Sequence, residues 1–263
     1  MKLFIGTLNG AGTNHLENLY KSIQQNLYKQ LSLYDWHWTV AKQGPKGADD
    51  KLIKEIKKSF GDRFTCLEYN RNVGYVIGVN ELIDHFLDFK GDINWMIDDD
   101  TIILEPHLIE LMYMAFSKYK RKICACDICY FGKDKIHLLQ YNQGKHVNVG
   151  DFGSGCTMYH KSTYEKCGYF DENILQFSAD SDFNSRVKKT FGKNCMDLLI
   201  GRYVHHTPHQ GTCNCHKQEE WNKIYLTDVN YTNSKTYTKS NLYQPRIKHK
   251  KPIWKDSKQV KII

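Results

Sequence analysis

Over residues 1–100 the chain switches repeatedly between two hydrophobic periods, and this alternation limits its possible folds more than any other feature. KLFIGTL, WHWTVAK, RFTCLEY and NWMI read as strands, while HLENLYKSIQQNLYKQL, ADDKLIKEIKKSF and GYVIGVNELIDHFLDF read as helices. Leu16, Leu19, Tyr20, Ile23 and Leu27 recur at helical spacing in the first helix, and Val79, Leu82, Ile83, Phe86 and Leu87 line the apolar side of the third. The order β-α-β-α-β-α-β predicts an α/β fold, a mostly parallel sheet with helices on both faces. Ligands of such sheets collect beyond the carboxyl ends of the strands. Four such ends converge here: Thr7 to Gly12, the QGPKG turn, NRNVG, and the triplet Asp98, Asp99, Asp100 after NWMI.

Beyond the triplet, LEPHLIELMYMAF reads as a helix, ICACDICYFG and KIHLLQYNQGKHVNVG as strands, and FGSGCTMY as a further strand. TYEKC and ADSDFNSRVKKTF read as short helices, and CMDLLIGRYVHH as one strand running into a histidine-rich loop. The length of 263 residues suits one large α/β domain with or without an extension.

The net charge of +8 is uneven. From Lys235 to Ile263 there are nine Lys or Arg against one acid, Asp256, so the other 234 residues balance at 28 of each sign. This C-terminal stretch also carries Tyr237, Tyr243, Trp254, Pro245 and Pro252 with little periodicity. It reads as a basic tail, solvated or else contacting nucleic acid or an anionic membrane. No apolar run is long enough for a transmembrane segment. The N-terminus reads as a first strand rather than an export signal, and the nine cysteines as reduced thiols, so the expected location is cytoplasmic.

Three adjacent carboxylates repel one another and are costly to bury unpaired. A divalent ion relieves this, because Mg²⁺ and Mn²⁺ take carboxylate oxygens and leave positions open for phosphate. The ordered pieces NRNVGYVIGVN, MIDDD, GSGCTMYHKSTYEKCGYFDE, SADSDFNSR and VHHTPH together resemble the GT-A fold glycosyltransferases, and most closely the inverting family 2 type. The resemblance runs from Lys2 to His209; GYFDE followed by DSDFNSR is its most specific part.

That resemblance implies a Rossmann-like nucleotide-diphospho-sugar transferase fold with a basic C-terminal extension. Residues 1–234 would be the catalytic domain, with 1–104 the nucleotide-sugar half and 105–234 the acceptor half, and 235–263 the tail. Asp98 and Asp100 would be the D-x-D pair holding Mn²⁺ or Mg²⁺. Asp100 is the more direct ligand, with Asp98 nearer the donor ribose or a metal-bound water. His205 or His206 would complete the metal shell, His206 preferred. The ion would offset charge on the leaving diphosphate. Thr7, Asn9, Gln43, Arg71, Asn72, Gly74, Asn80, Asp98 and Asp99 would contact the donor, with Asp99 a solvated member between two working neighbours. Asp180 would be the base that takes the acceptor proton, and Asp182 a second carboxylate and fallback base. Arg186, one helical turn after Asp182, is placed to pair with it.

The chain departs from the family pattern at three points. Lys42 or Gln43 stands where the family has a base-reading Asp, Ala179 replaces the Glu of E-D-x-D, and the Q-x-x-R-W motif of processive members is absent. The expected activity is a single inverting transfer from a nucleotide-sugar, UDP-sugar first, to a hydroxyl. Candidate acceptors are a glycan, a lipid-linked sugar, or DNA bearing a hydroxymethylated base. A metal-dependent nuclease or nucleic-acid module is the alternative, built from the triplet, HHTPH and the basic tail. His209, Cys213, Cys215 and His216 are the place where a structural zinc would sit. On this reading, deleting 235–263 would lower transfer and spare donor hydrolysis.

Overall fold

The computed structural model describes residues 1–10, 12–127, 144–149, 155–201, 203–206, 218–246 and 261–262. Strands β1 (Lys2–Asn9), β2 (Asp35–Gln43), β3 (Phe64–Tyr69) and β4 (Ile93–Ile97) are mutually parallel, in the order β3-β2-β1-β4. Beyond β4 the sheet becomes mixed. Strand β8 (Cys156–His160) runs antiparallel to β4 and to β6 (Ile123–Cys126), and β9 (Met196–Leu199) and β7 (His146–Asn148) complete that side. The two-residue β11 (Lys261–Ile262) closes the other edge against β3. A separate ribbon pairs β5 (Thr101–Ile103) with β10 (Val204–His206).

Strand alternation divides the core in two. On β1, Leu3 and Ile5 join the layer formed with α1 (Thr13–Ser22), α3 (Asp50–Phe60) and α5 (Leu108–Ser117). Phe4 faces the opposite layer, built with α4 (Tyr75–Phe89), α6 (Ser162–Cys167) and α7 (Ala179–Phe191). In that layer the Phe170 and Phe183 rings stack at 4.5 Å.

Two elements differ from expectation. The first helix is interrupted by a π-helical turn, Ile23–Leu27, before α2 (Tyr28–Leu31). Just ahead of it the Ser22 hydroxyl bonds back to the Leu19 carbonyl, a competitor for helix geometry. Ser22 and Asn26 then grip both polar groups of the Ile103 backbone, which anchors β5. The expected single strand CMDLLIGRYVHH is two, β9 and β10, in different sheets. The chain turns at Gly201, where a Cβ would lie 2.2 Å from the Tyr203 ring. Of the two strands expected over residues 123–149, only Ile123–Cys126 and His146–Asn148 lie among the described residues.

The segment expected to be a free tail is tied to the body of the fold. It follows α8 (Gln218–Ser234), a helix with no sequence-based expectation behind it. Lys235 reaches Asp171 and Asp182, Tyr237 donates to Asp182, and Arg246 meets Glu81, Asp84 and Glu172. The Gln244 backbone bridges to Gly168, and at φ +70 a Cβ on Gly168 would collide with the Gln244 carbonyl. Burial opposes the charge on Asp171, but hydrogen bonds from Lys235, Asn173 and Tyr231 outweigh it and hold the carboxyl below its ordinary 3.8.

Lys235→Ala leaves two buried carboxylates short of a cation, which costs about 3–5 kcal/mol. For a domain of this size that is a fall in melting temperature of about 10 °C. An unchanged melting curve would show that the contact carries no stability. Because the folded pKa of Asp171 is depressed, its contribution is present above pH 3.8 and is lost as pH falls through the folded value. Asp171→Asn is therefore expected to flatten the acid limb of stability, read by denaturant unfolding between pH 2 and 6.

Candidate active site

The acidic triplet occupies the turn from β4 into β5, closed by the Thr101 amide donating to the Asp98 carbonyl at 3.1 Å. It is not a solvated turn: Asp99 and Asp100 are each only 7% exposed, while Asp98 is half-buried. Asn9, at the end of β1, explains the burial of Asp99. Its amide nitrogen donates to Asp99 Oδ2 at 2.7 Å and to the Gly12 carbonyl at 3.2 Å, and its oxygen accepts from the Ala48 amide. One side chain thus joins the ends of β1, β2 and β4. Asn9 and Asp99 are positioning residues, and the expectation that Asp99 is solvated is corrected by this bond. From the other side, the Asp98 amide and the Thr101 hydroxyl bond to the Gly155 carbonyl ahead of β8.

Register brings a histidine to this turn. In the β5–β10 ribbon His206 lies opposite Thr101, directly after Asp100, and His205 lies opposite Ile102 with an exposed side chain. The register thus sets His206 nearer in sequence pairing to Asp100 than His205. Among the described residues, no three His, Cys, Asp or Glu side chains are gathered around one point. The donor chemistry at the turn, carboxylate oxygens beside an imidazole-bearing strand, fits Mn²⁺ or Mg²⁺. The zinc candidates His209, Cys213, Cys215 and His216 lie outside the described residues.

Asp180 approaches from α7. Ser178, just ahead of that helix, has φ +60, an uncommon backbone for a non-glycine residue and one that recurs at functional sites. The Tyr75 hydroxyl, from the first turn of α4, donates to Asp180 Oδ1 at 3.0 Å, and its ring packs edge-on against Phe170. Burial, then the fields of Asp180, Tyr164 and Asp98, push the Tyr159 phenol well above its ordinary range. Asp98 and Asp180 therefore act on the same buried ring, from the triplet turn and from α7.

Several other expected contacts prove to be architecture. The Thr7 hydroxyl is fully buried and accepts from the Trp38 indole at 3.1 Å, so it is not at the crevice surface. Asn80 is equally buried; it clamps both backbone groups of Phe170 and donates to Glu172, which docks GYFDE on α4. Gln43 donates to the Gly74 carbonyl, and Asn72 accepts from the Gly74 amide at 2.8 Å. Gly74 itself starts α4 at φ +88, with the Leu175 carbonyl 3.3 Å from where a Cβ would be. The first amides of α4 point to Leu175 and to the Gln176 side chain, so these residues shape the loop rather than present open donors. Arg71 is half-buried, with its backbone packed against Gly44.

Asp182 is corrected outright. It is fully buried, with Oδ2 held by Arg186 at 3.0 Å and Oδ1 by Lys235 and Tyr237. A carboxylate so engaged cannot take an acceptor proton. Lys42, one of the two residues at the base-reading position, is likewise spent on Asp50 and Glu68.

Two solved structures share this architecture. The chain is similar to a mannosyltransferase from Pyrobaculum calidifontis, seen with GDP-mannose and Mn²⁺. That match has a TM-score of 0.60 and 11% identity, over 91% of this chain and 67% of that one. It is also similar to glucosyl-3-phosphoglycerate synthase from Mycobacterium tuberculosis, seen with Mn²⁺, UDP and glucosyl-3-phosphoglycerate. Here the TM-score is 0.54 and the identity 12%, over 87% of this chain and 77% of that one. The fold is GT-A. No protein-family model and no curated sequence matches the chain. Within the GT-A frame, Tyr75, Asp228, Lys235, Tyr237 and Arg246 are site-building residues that sequence reasoning missed. Asp228 accepts three consecutive amides, from Leu175, Gln176 and Phe177, and so fixes the loop that leads to Asp180. No local motif marks it; only the excess of buried acids over nearby cations in GYFDE and DSDFNSR signals that distant partners are needed.

Asn9→Ala would remove the amide that donates to Asp99 and leave the buried Ala48 amide without its acceptor, at a cost of about 1–3 kcal/mol. The expected outcome is a melting temperature several degrees lower, together with faster amide exchange at Ala48. Unchanged exchange at that amide would refute the role of Asn9 as the joint between strand ends.

Proposed function

We propose that this chain is a metal-dependent glycosyltransferase that moves one sugar from a nucleotide-sugar, UDP-sugar first, to an acceptor hydroxyl with inversion. The observation that carries the reading is that Asp98, from the triplet turn, and Asp180, from α7, both act on one buried ring, Tyr159. Asp98 and Asp100 stand at the triplet turn, and Asp180 is held on α7 by Tyr75. Asp98, Asp100 and His206 would hold Mn²⁺ or Mg²⁺, which when bound offsets charge on a leaving diphosphate. Asp180 would accept the proton of the acceptor hydroxyl, oriented by the Tyr75 hydrogen bond. The two structural neighbours, crystallised with Mn²⁺ and with GDP-mannose or UDP, support this reading.

The nuclease alternative drew on a basic tail, and two cations of that segment, Lys235 and Arg246, are engaged inside the fold. Among the described residues no helix is long and apolar enough to cross a membrane. The candidate acceptors remain a glycan, a lipid-linked sugar or a hydroxymethylated DNA base.

Thermal unfolding with UDP, GDP, CDP and TDP, each with and without Mn²⁺, tests the donor assignment. A nucleotide at about 100 times its Kd adds about 2.7 kcal/mol, and that shift should require Mn²⁺ and vanish in Asp100→Ala. Asp180→Asn should keep the shift and lose transfer by about 10²–10⁴-fold. Near-normal turnover of that variant would remove Asp180 from the role of base. Tyr75→Phe should lower kcat about tenfold with the KM for the donor unchanged, as for a residue that orients the base; a change confined to KM would place Tyr75 at the donor instead.

A further inference from the structure

A cavity of about 640 Å³ lies beside the C-terminal end of α7. Its walls come from three separate parts of the chain: Asn148 and Val149 after β7, the face of α7 carrying Ser185, Lys188 and Lys189 with Lys193 just beyond it, and Tyr237. Among the described residues, three lysines line it and no acid does. Among the described residues, no carboxylate forms an ion pair with Lys188, Lys189 or Lys193.

Lysines near a helix C-terminus are ordinarily explained by the helix dipole. That accounts for Lys188 and Lys189 in the last turn of α7. It does not account for Lys193, which follows the terminating Gly192, nor for an open hollow lined by all three. The remaining lining is a ring and a branched side chain, Tyr237 and Val149, with the Ser185 hydroxyl and the Asn148 amide beside them. The Tyr237 hydroxyl is spent on Asp182 at 2.9 Å, so the ring is held in place as a wall. The volume lies within the range of small-molecule sites. Lys188 and Lys189 stand about 12–14 Å along α7 from Asp180, at about 1.5 Å per residue.

We propose that this cavity binds a small phosphate ester, with the lysines on the phosphate and the Tyr237–Val149 wall against the organic part. Lysine serves as a point charge for phosphate, and three of them converging favour a dianion over a carboxylate. The assignment does not depend on the transfer reaction.

The test is calorimetric titration of the full chain with glucose 6-phosphate, with inorganic phosphate and a single-stranded thymidine 20-mer as comparison arms. Glucose 6-phosphate should bind saturably without metal and with unchanged affinity when UDP and Mn²⁺ are saturating. In the variant Lys188→Gln/Lys189→Gln/Lys193→Gln its affinity should fall at least tenfold. Should that variant fold poorly, Ser185→Glu places a negative charge on the same wall and should abolish binding. Absence of saturable binding to the wild-type chain would overturn the proposal, as would displacement by UDP with Mn²⁺ or equal affinity in either variant. Binding of the 20-mer alone, steeply weakened by salt, would also overturn it, leaving only a general affinity for polyanions.

Discussion

The placement of α7 depends on one buried carboxylate. Asp182 is completely buried, and Arg186, Lys235 and Tyr237 all converge on it. Unpaired, such a charge would be expelled or protonated. Paired, it fastens α7 to the segment that follows α8, and the same arrangement recurs nearby. Arg246 gathers Glu81, Asp84 and Glu172, and Lys235 also takes Asp171. The acids of GYFDE and DSDFNSR are therefore chiefly structural charges, and Asp180 differs from them in being half-exposed and held by a neutral hydroxyl.

A second constraint acts at the sheet. Asn9 reaches over the strand ends to Asp99, so the triplet is oriented by its middle member. The loop before Asp180 is positioned in a similar way. Asp228 holds its amides, α4 places its first N–H groups against it, and Ser178 takes a left-handed backbone where it enters α7. Each reactive position thus rests on a polar contact made by a residue far away in sequence.

That distance sets what could be read from the sequence. The first four strands and the helices between them were legible, because their hydrophobic periods are local and Leu3, Ile5, Leu82 and Phe86 fall where periodicity puts them. The ordered motifs pointed to the right fold, and the Asp182–Arg186 pair was legible from i,i+4 spacing. What could not be read was which polar residue faces solvent. Thr7 and Asn80 sit in the expected motifs yet point inward, to Trp38 and to Phe170. The basic C-terminal stretch looked like a solvated arm because charge composition carries no information about partners. Its cations answer acids as far as 165 positions earlier.

Those long separations also set how the chain closes on itself. The β1–α4 half is assembled from neighbouring β-α units and closes few long loops. In the rest of the molecule Asp182 finds Arg186 on its own helix, while Asp171 and Glu172 find their cations only in Lys235 and Arg246, from a segment much later in the chain. Contacts of such long sequence separation close large loops, so these ion pairs tie the late segment onto a sheet whose parallel half is built from local units.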